Sequence, residues 1–191
     1  GIIVIFDEVM TGFGRTGKMF ALNHLTESPD IVCLAKSLTG GYIPLAATIF
    51  NEKIHNEFVN NDFKKTFLHG HTFTANPVAC SAALASLSFF DKEKTFKKIR
   101  LINQIHKRSL IELSKKCKVS KIRTLGSIAA FDYNEIDINY GSKQGEKLKS
   151  SFLENGLLLR PIGNTIYLMP PFCIEKSTLL KCYEKLYDIL Q

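Results

Sequence analysis

The sequence predicts an α/β protein, part of a mainly parallel sheet followed by a smaller α+β unit. Three observations predict it. Ile2-Ile-Val-Ile-Phe6 is a continuous apolar run, the pattern of a strand covered on both faces. A second such run, Ile31 to Ala35, follows after a glycine-rich stretch and ends at Lys36. Near residue 91 small-residue helical sequence gives way to lysine-rich helix and then to short strands alternating with helices.

Each element follows in order. Asp7-Glu8 closes the first run, and Thr11-Gly-Phe-Gly-Arg-Thr-Gly17 reads as a turn. Residues 19 to 25 are expected to form a short helix. Gly40-Gly41 breaks the chain before a third strand, Leu45 to Phe50. Asn51 is placed to cap a helix over 52 to 59. His69 to Phe73 reads as a loop. Asn76-Pro77 then opens a long helix whose Ala79, Ser81, Ala82, Ala83, Ala85 and Ser86 allow close approach to a neighbour. Helical sequence continues from 91 to 117. Strands are expected at 126 to 133, 157 to 160 and Ile166 to Met169, with helices at 143 to 154 and Glu175 to Leu190. The domain boundary is expected at 91, within continuous helix, giving domains 1–91 and 92–191.

Composition narrows the function classes. Hydrophobic residues make up 45% and charged residues 23%, a globular profile. The net charge is +7, but the lysines are scattered with no basic stripe among aromatics, so no nucleic-acid partner is expected. No apolar run reaches the ~20 residues of a membrane span, and Ile2 to Phe6 lacks a basic leader, so a cytoplasmic protein without membrane partners is expected. Cys33, Cys80, Cys117, Cys173 and Cys182 include no Cys-x-x-Cys pair, so no metal site is expected. The chain opens on Gly1 and runs at once into a strand, which reads as the carboxy-terminal part of a longer polypeptide.

Five places can carry chemistry. Gly12-Phe-Gly-Arg-Thr-Gly17 satisfies the dinucleotide fingerprint, yet Asp7 to Thr11 separate it from the strand it should follow, which argues against that use. Asp7 sits at a strand's carboxyl end, where open α/β sheets collect ligands. It is expected to be partly shielded and to favour a nearby cation such as a protonated pyridine, or else to cap the next turn. Lys36 ends the second run, where desolvation would free an amine for covalent chemistry; an ordinary exposed lysine is the alternative. In His69-Gly-His-Thr-Phe73, Gly70 admits close approach and Thr72 offers a hydroxyl to a phosphate. Arg160, between a strand and Pro161, suits a carboxylate or a surface salt bridge.

Taken in order, Asp7-Glu-Val-Met-Thr-Gly-Phe-Gly-Arg-Thr-Gly17, Leu34-Ala-Lys-Ser-Leu-Thr-Gly-Gly41 and His69-Gly-His-Thr-Phe-Thr-Ala-Asn-Pro77 resemble the signature of the class III aminotransferases of fold type I. His69 to Leu87 and Leu159 to Pro171 resemble the biotin-biosynthesis branch of that class. The resemblance spans nearly the whole chain and corresponds to less than half of a family member, at its carboxy-terminal end. It implies pyridoxal 5'-phosphate as cofactor, with Lys36 as its covalent anchor and proton shuttle. It further implies that Asp7 pairs with the ring nitrogen, and that His71 and Thr72 bind the phosphate across a homodimer interface. Gly70 would line the substrate pocket and Arg160 would hold the far carboxylate. The implied reaction moves an amino group from S-adenosylmethionine to 8-amino-7-oxononanoate. His71 stands where many members carry proline. The family's upstream Gly-Ser phosphate loop and ring-stacking aromatic do not occur in these residues. An inactive or split-gene fragment needing its amino-terminal half, or an ornithine- or 4-aminobutyrate-type aminotransferase, are the alternatives.

Overall fold

A computed structural model of the chain describes residues 1–59, 61–135 and 143–191. Two compact units emerge, Gly1–Thr95 and Phe96–Gln191.

The first unit is built on a three-stranded sheet in the order β1 (Ile5–Asp7), β2 (Ile31–Leu34), β3 (Ala47–Phe50). β1 and β2 are parallel, with Asp7 opposite Cys33. β3 runs antiparallel to β2, Leu34 opposite Ala47. The three strands described thus make one parallel and one antiparallel pairing, a mixed portion of a sheet. The connection between β2 and β3 contains a 3-10 turn, Lys36–Thr39, and no crossover helix of the kind that usually returns a chain for parallel pairing. The first run also differs from expectation. Ile2 is 90% exposed and Ile5 58% exposed, because no described layer covers them. Residues 19 to 25 contain a 3-10 turn, Ala21–His24, in place of a helix.

Helix α1 (Glu52–Phe58) starts as the sequence requires. The Asn51 side chain accepts from the Ile54 N–H at 3.1 Å. The same side chain donates to Asp30 at 2.8 Å, and the second Asp30 oxygen accepts from the Val4 N–H at 2.9 Å. These bonds tie the starts of β1, β2 and α1 together, and they hold the Asp30 carboxyl below its usual range, the Val4 amide contributing most. Asn51→Ala should cost about 1 kcal/mol in urea unfolding of the first unit's transition, the usual worth of a lost N-cap.

Helix α2 (Pro77–Lys92) begins at Asn76, whose side chain accepts from the Val78 and Ala79 amides, with Pro77 at the first position. Its small residues do what small residues permit. Ala79 and Ala83 are buried, and Ser86 donates to the Ser37 carbonyl at 3.1 Å, so α2 lies against the turn that carries Lys36. The helical sequence is not continuous at the boundary. Lys94 adopts φ 50°, and the Thr95 hydroxyl donates to the Phe89 carbonyl, ending α2 before α3 (Thr95–Lys116) begins.

The second unit packs α3, α4 (Lys143–Glu154) and α5 (Lys176–Leu190) on an antiparallel sheet, β4 (Val119–Leu125), β5 (Ile128–Tyr133), β6 (Thr165–Leu168). Ile102, Ile105 and Leu113 recur at helical spacing and meet Phe131, Phe152, Ile166 and Leu186 in one apolar core. Strand β4 is not expected from its sequence. Its polar stretch Lys121-Ile-Arg123 is exposed at a break in register between Ser120 and Arg123, on an edge strand of the described sheet that a hairpin at Gly126 brings against β5. Residues 157–160 form no strand. Leu157 instead enters the core as a single buried side chain after Gly156 turns at φ 74°.

Candidate active site

The parallel pairing of β1 and β2 puts their carboxyl ends at one edge of the sheet, the place where open α/β sheets bind ligands. Asp7 is the last residue of β1. Lys36 lies three residues past Asp7's partner Cys33, just beyond the end of β2. Both side chains are exposed, so the shielding expected for Asp7 is not supplied by the described residues.

Their local settings differ. One Asp7 oxygen accepts from the Val9 N–H at 3.0 Å, the turn that aspartate makes with its own backbone. Among the described residues its second oxygen has no hydrogen-bond partner. Lys36 makes no hydrogen bond or ion pair among the described residues either, and its backbone sits at φ 44°. A non-glycine residue in the left-handed region carries strain, and such strain collects at functional positions. Lys36 is held there by its neighbours. The Thr39 hydroxyl donates to the Ile43 carbonyl at 2.6 Å, and Ser86 grips Ser37.

Residues 11–17 form no dinucleotide site. Gly14 and Gly17 take φ 90° and 93°, and the Gly17 N–H donates to Gly14 O at 2.9 Å, so the loop folds on itself and opens no helix. Its filling is Phe13, buried edge-on against Phe20 with ring centroids 5.4 Å apart.

His71 and Thr72 lie elsewhere in the first unit, on an exposed turn before α2. The His71 N–H donates to the Thr74 hydroxyl at 3.2 Å, and the Phe73 N–H donates to His71 Nδ1 at 3.2 Å. Thr72 makes no hydrogen bond among the described residues, which leaves its hydroxyl and amide open. A side chain at Gly70 would meet nothing within 4 Å, so backbone approach there is unobstructed. Arg160 belongs to the second unit, exposed and just before the Ile162–Thr165 turn that leads into β6.

Asp7 and Lys36 thus share an edge, whereas His71, Thr72 and Gly70 form a separate turn. One participant escapes sequence reasoning. Glu8 is only 1% exposed and accepts at both carboxylate oxygens. Its one signal in the sequence is a second acid directly after a strand-end aspartate.

A carboxylate with one open oxygen and an amine without a partner among the described residues, both at the same sheet edge, fit a cofactor that has both a protonated ring nitrogen and an electrophilic carbonyl. Among the described residues no helix is long and apolar enough to cross a membrane.

Comparison with known proteins agrees with this chemistry. The Aminotransferase class-III family model matches residues 1–190. The adenosylmethionine-8-amino-7-oxononanoate aminotransferase of Synechococcus elongatus is 40% identical over 190 residues, covering 100% of this chain and 44% of that protein. The crystal structure of the enzyme of that name from Methanocaldococcus jannaschii aligns with a TM-score of 0.85 at 40% identity, over 99% of this chain and 45% of that one. An amine transaminase from an uncultivated Pseudomonas species, solved in its PLP-bound form, aligns with a TM-score of 0.88 at 32% identity, over 100% of this chain and 44% of that one. The chain spans less than half the length of the curated relatives it matches.

Proposed function

This chain belongs to the class-III aminotransferase family, and from that premise we propose that it is the lysine-bearing part of a pyridoxal-phosphate transaminase. The proposed reaction moves an amino group from S-adenosylmethionine to 8-amino-7-oxononanoate, yielding 7,8-diaminononanoate for biotin biosynthesis. The observation that carries it is the pairing at one sheet edge of Asp7, with one carboxylate oxygen open, and Lys36, with a free amine on a strained backbone.

When bound, the cofactor supplies a carbonyl carbon that amines attack and a ring that accepts electron density. The chain's own residues do the rest. The Lys36 amine anchors the cofactor and carries the proton at the substrate's amine-bearing carbon. Asp7 keeps the ring nitrogen protonated, because a carboxylate beside it favours the cationic form. The Thr72 hydroxyl donates to a phosphate oxygen, and His71 positions that turn; their exposure suits a homodimer in which the turn serves the partner's cofactor. Gly70 leaves room for substrate beside the turn. Arg160 binds the far carboxylate of the oxononanoate. In this reading residues 1–91 are the end of the cofactor-binding large domain and 92–191 the small domain. The five cysteines are free thiols, which suits the cytoplasm.

The test uses the full polypeptide that carries these residues. Added cofactor should produce the visible band of a lysine-bound adduct, and diaminononanoate should form with S-adenosylmethionine as donor. Turnover with ornithine or 4-aminobutyrate instead would move the enzyme to a sister branch. Arg160→Ala should raise the KM for oxononanoate about tenfold or more, the worth of a charge-assisted hydrogen bond, while the KM for the donor stays nearly unchanged. Equal changes in both would remove Arg160 from the acceptor site.

A second reading, a chain competent only beside a complementary polypeptide, is favoured by the bare apolar surface of the first unit. Ile2, Tyr42, Phe63, Leu68 and Phe73 are each more than 70% exposed. Apolar surface on that scale marks a contact face. Residues 1–191 expressed alone should therefore self-associate, and mixing with the missing half should restore a monodisperse species by light scattering.

A further inference from the structure

Glu8 directly follows Asp7 and points the other way along the chain, into the protein. It is 1% exposed. A carboxylate is rarely buried unless its oxygens are engaged, and those of Glu8 are. One oxygen accepts from the Leu22 N–H at 2.6 Å. The other accepts from the Ala21 N–H at 2.9 Å and from the Thr11 hydroxyl. The two amides belong to the first turn of the 3-10 segment, so that segment is docked onto Glu8. These partners are two backbone amides and a hydroxyl, not a basic side chain.

The Glu8 backbone is held as well. Its N–H donates to Cys33 O at 2.9 Å, extending the β1–β2 ladder one residue past Asp7. Its carbonyl accepts from the Gly12 N–H at 2.9 Å. A side chain at residue 12 would come within 2.8 Å of that carbonyl, so the turn closes only over glycine. Glu8 is thus fixed at the amide, the carbonyl and both carboxylate oxygens. What it fixes is the next amide along, Val9 N–H, and that amide holds one oxygen of Asp7 at 3.0 Å.

We propose that Glu8 is a positioning residue. By locking the Val9 amide it sets the direction of the Asp7 carboxylate, so that the oxygen without a partner faces the cofactor's ring nitrogen. This rests on the aminotransferase reading above. Glu8 touches neither cofactor nor substrate; it acts through Val9 and Asp7. The loop from Thr11 to Leu22, wound around buried Phe13, is the means by which one carboxylate gains, beside the nearby Thr11 hydroxyl, two backbone amides from residues 13 and 14 positions away.

Glu8→Gln in the full polypeptide is the test. The amide keeps the volume but puts a donor where donors already point, so one bond is lost and the turn shifts. The dissociation constant for pyridoxal phosphate, measured by fluorescence titration, should rise about tenfold, the worth of one hydrogen bond to a charged group. The pH midpoint of the bound cofactor's visible band should move, because the ring nitrogen would no longer be matched by Asp7. The kcat should fall with little change in the KM for the amino donor. A lower melting temperature with cofactor affinity, pH midpoint and kcat all as in the wild type would make Glu8 a purely structural residue and overturn the proposal. If Glu8→Gln does not fold, Thr11→Val removes one donor and keeps the shape. The same three measurements then apply to it, and wild-type values in all three overturn the proposal in the same way. A wild-type protein that binds no pyridoxal phosphate would instead sink the aminotransferase reading itself, which the wild-type titration distinguishes.

Discussion

Lys36→Ala in the full polypeptide should abolish the visible band formed on adding pyridoxal phosphate and reduce transamination by about 10²–10⁴-fold from lost proton transfer alone. The physical case rests on position. The amine projects from the end of β2 at the carboxyl edge of the sheet, with no protein partner among the described residues and its backbone at φ 44°. Alanine keeps the fold, because the Lys36–Thr39 turn is held by Ser86 and Thr39 and not by the lysine side chain. Loss of a covalent anchor and of a base together makes this the largest effect expected of any single substitution. Added primary amine should restore part of the lost rate by supplying the proton acceptor. A variant that keeps the band would show that some other lysine bears the cofactor.

The second large effect is on stability and lies in the second unit. His106, on α3, is fully buried, with Nδ1 2.7 Å from the Tyr183 hydroxyl on α5 and Nε2 3.2 Å from the Ser127 carbonyl. A carbonyl can only accept, so Nε2 carries the hydrogen and Nδ1 accepts from Tyr183. Burial, opposed only by the Ser127 bond, pushes His106 down to about 4. The unfolded chain protonates near pH 6.5 and the folded chain only near 4, so acid favours unfolding across that window. Stability should be fully present above about pH 6.5 and fall by about 1.4 kcal/mol per pH unit below it, roughly 3 kcal/mol in all by about pH 4. Urea unfolding at several pH values measures the slope, and His106→Gln isolates it from the carboxylates. Asp132, for example, is pushed up by burial but held below its usual range by Thr165, Lys121 and Arg123, and loses its contribution at still lower pH. An unchanged slope in His106→Gln would mean that the histidine takes up its proton over the same pH range folded as unfolded.

Much of the fold is legible because local signals are strong. Asn51 and Asn76 cap helices where an asparagine before a helical run should, and the spacing of Ile102, Ile105 and Leu113 places one face of α3 in the core. Lysine-rich helix hides the break at Lys94, since no glycine or proline marks it. Strand β4 is hidden for a related reason: an edge strand exposed along Lys121-Ile-Arg123, where its register breaks, has the composition of a loop. Leu157 to Arg160 has strand composition, but among the described residues no strand pairs with it.

The sequence by itself determined the family. The order of the motifs around Asp7, Lys36 and His71 and the match over residues 1–190 need no coordinates. Only the tertiary structure decided which groups share an edge. Parallel pairing of β1 with β2 brings Asp7 and Lys36 together, because hydrogen-bond register aligns strand ends that the chain separates. Tertiary structure also decided that Asp7 and Glu8, adjacent acids indistinguishable as letters, have opposite fates. Strand alternation turns successive side chains to opposite sides, so one meets the open edge and the other is buried among backbone amides.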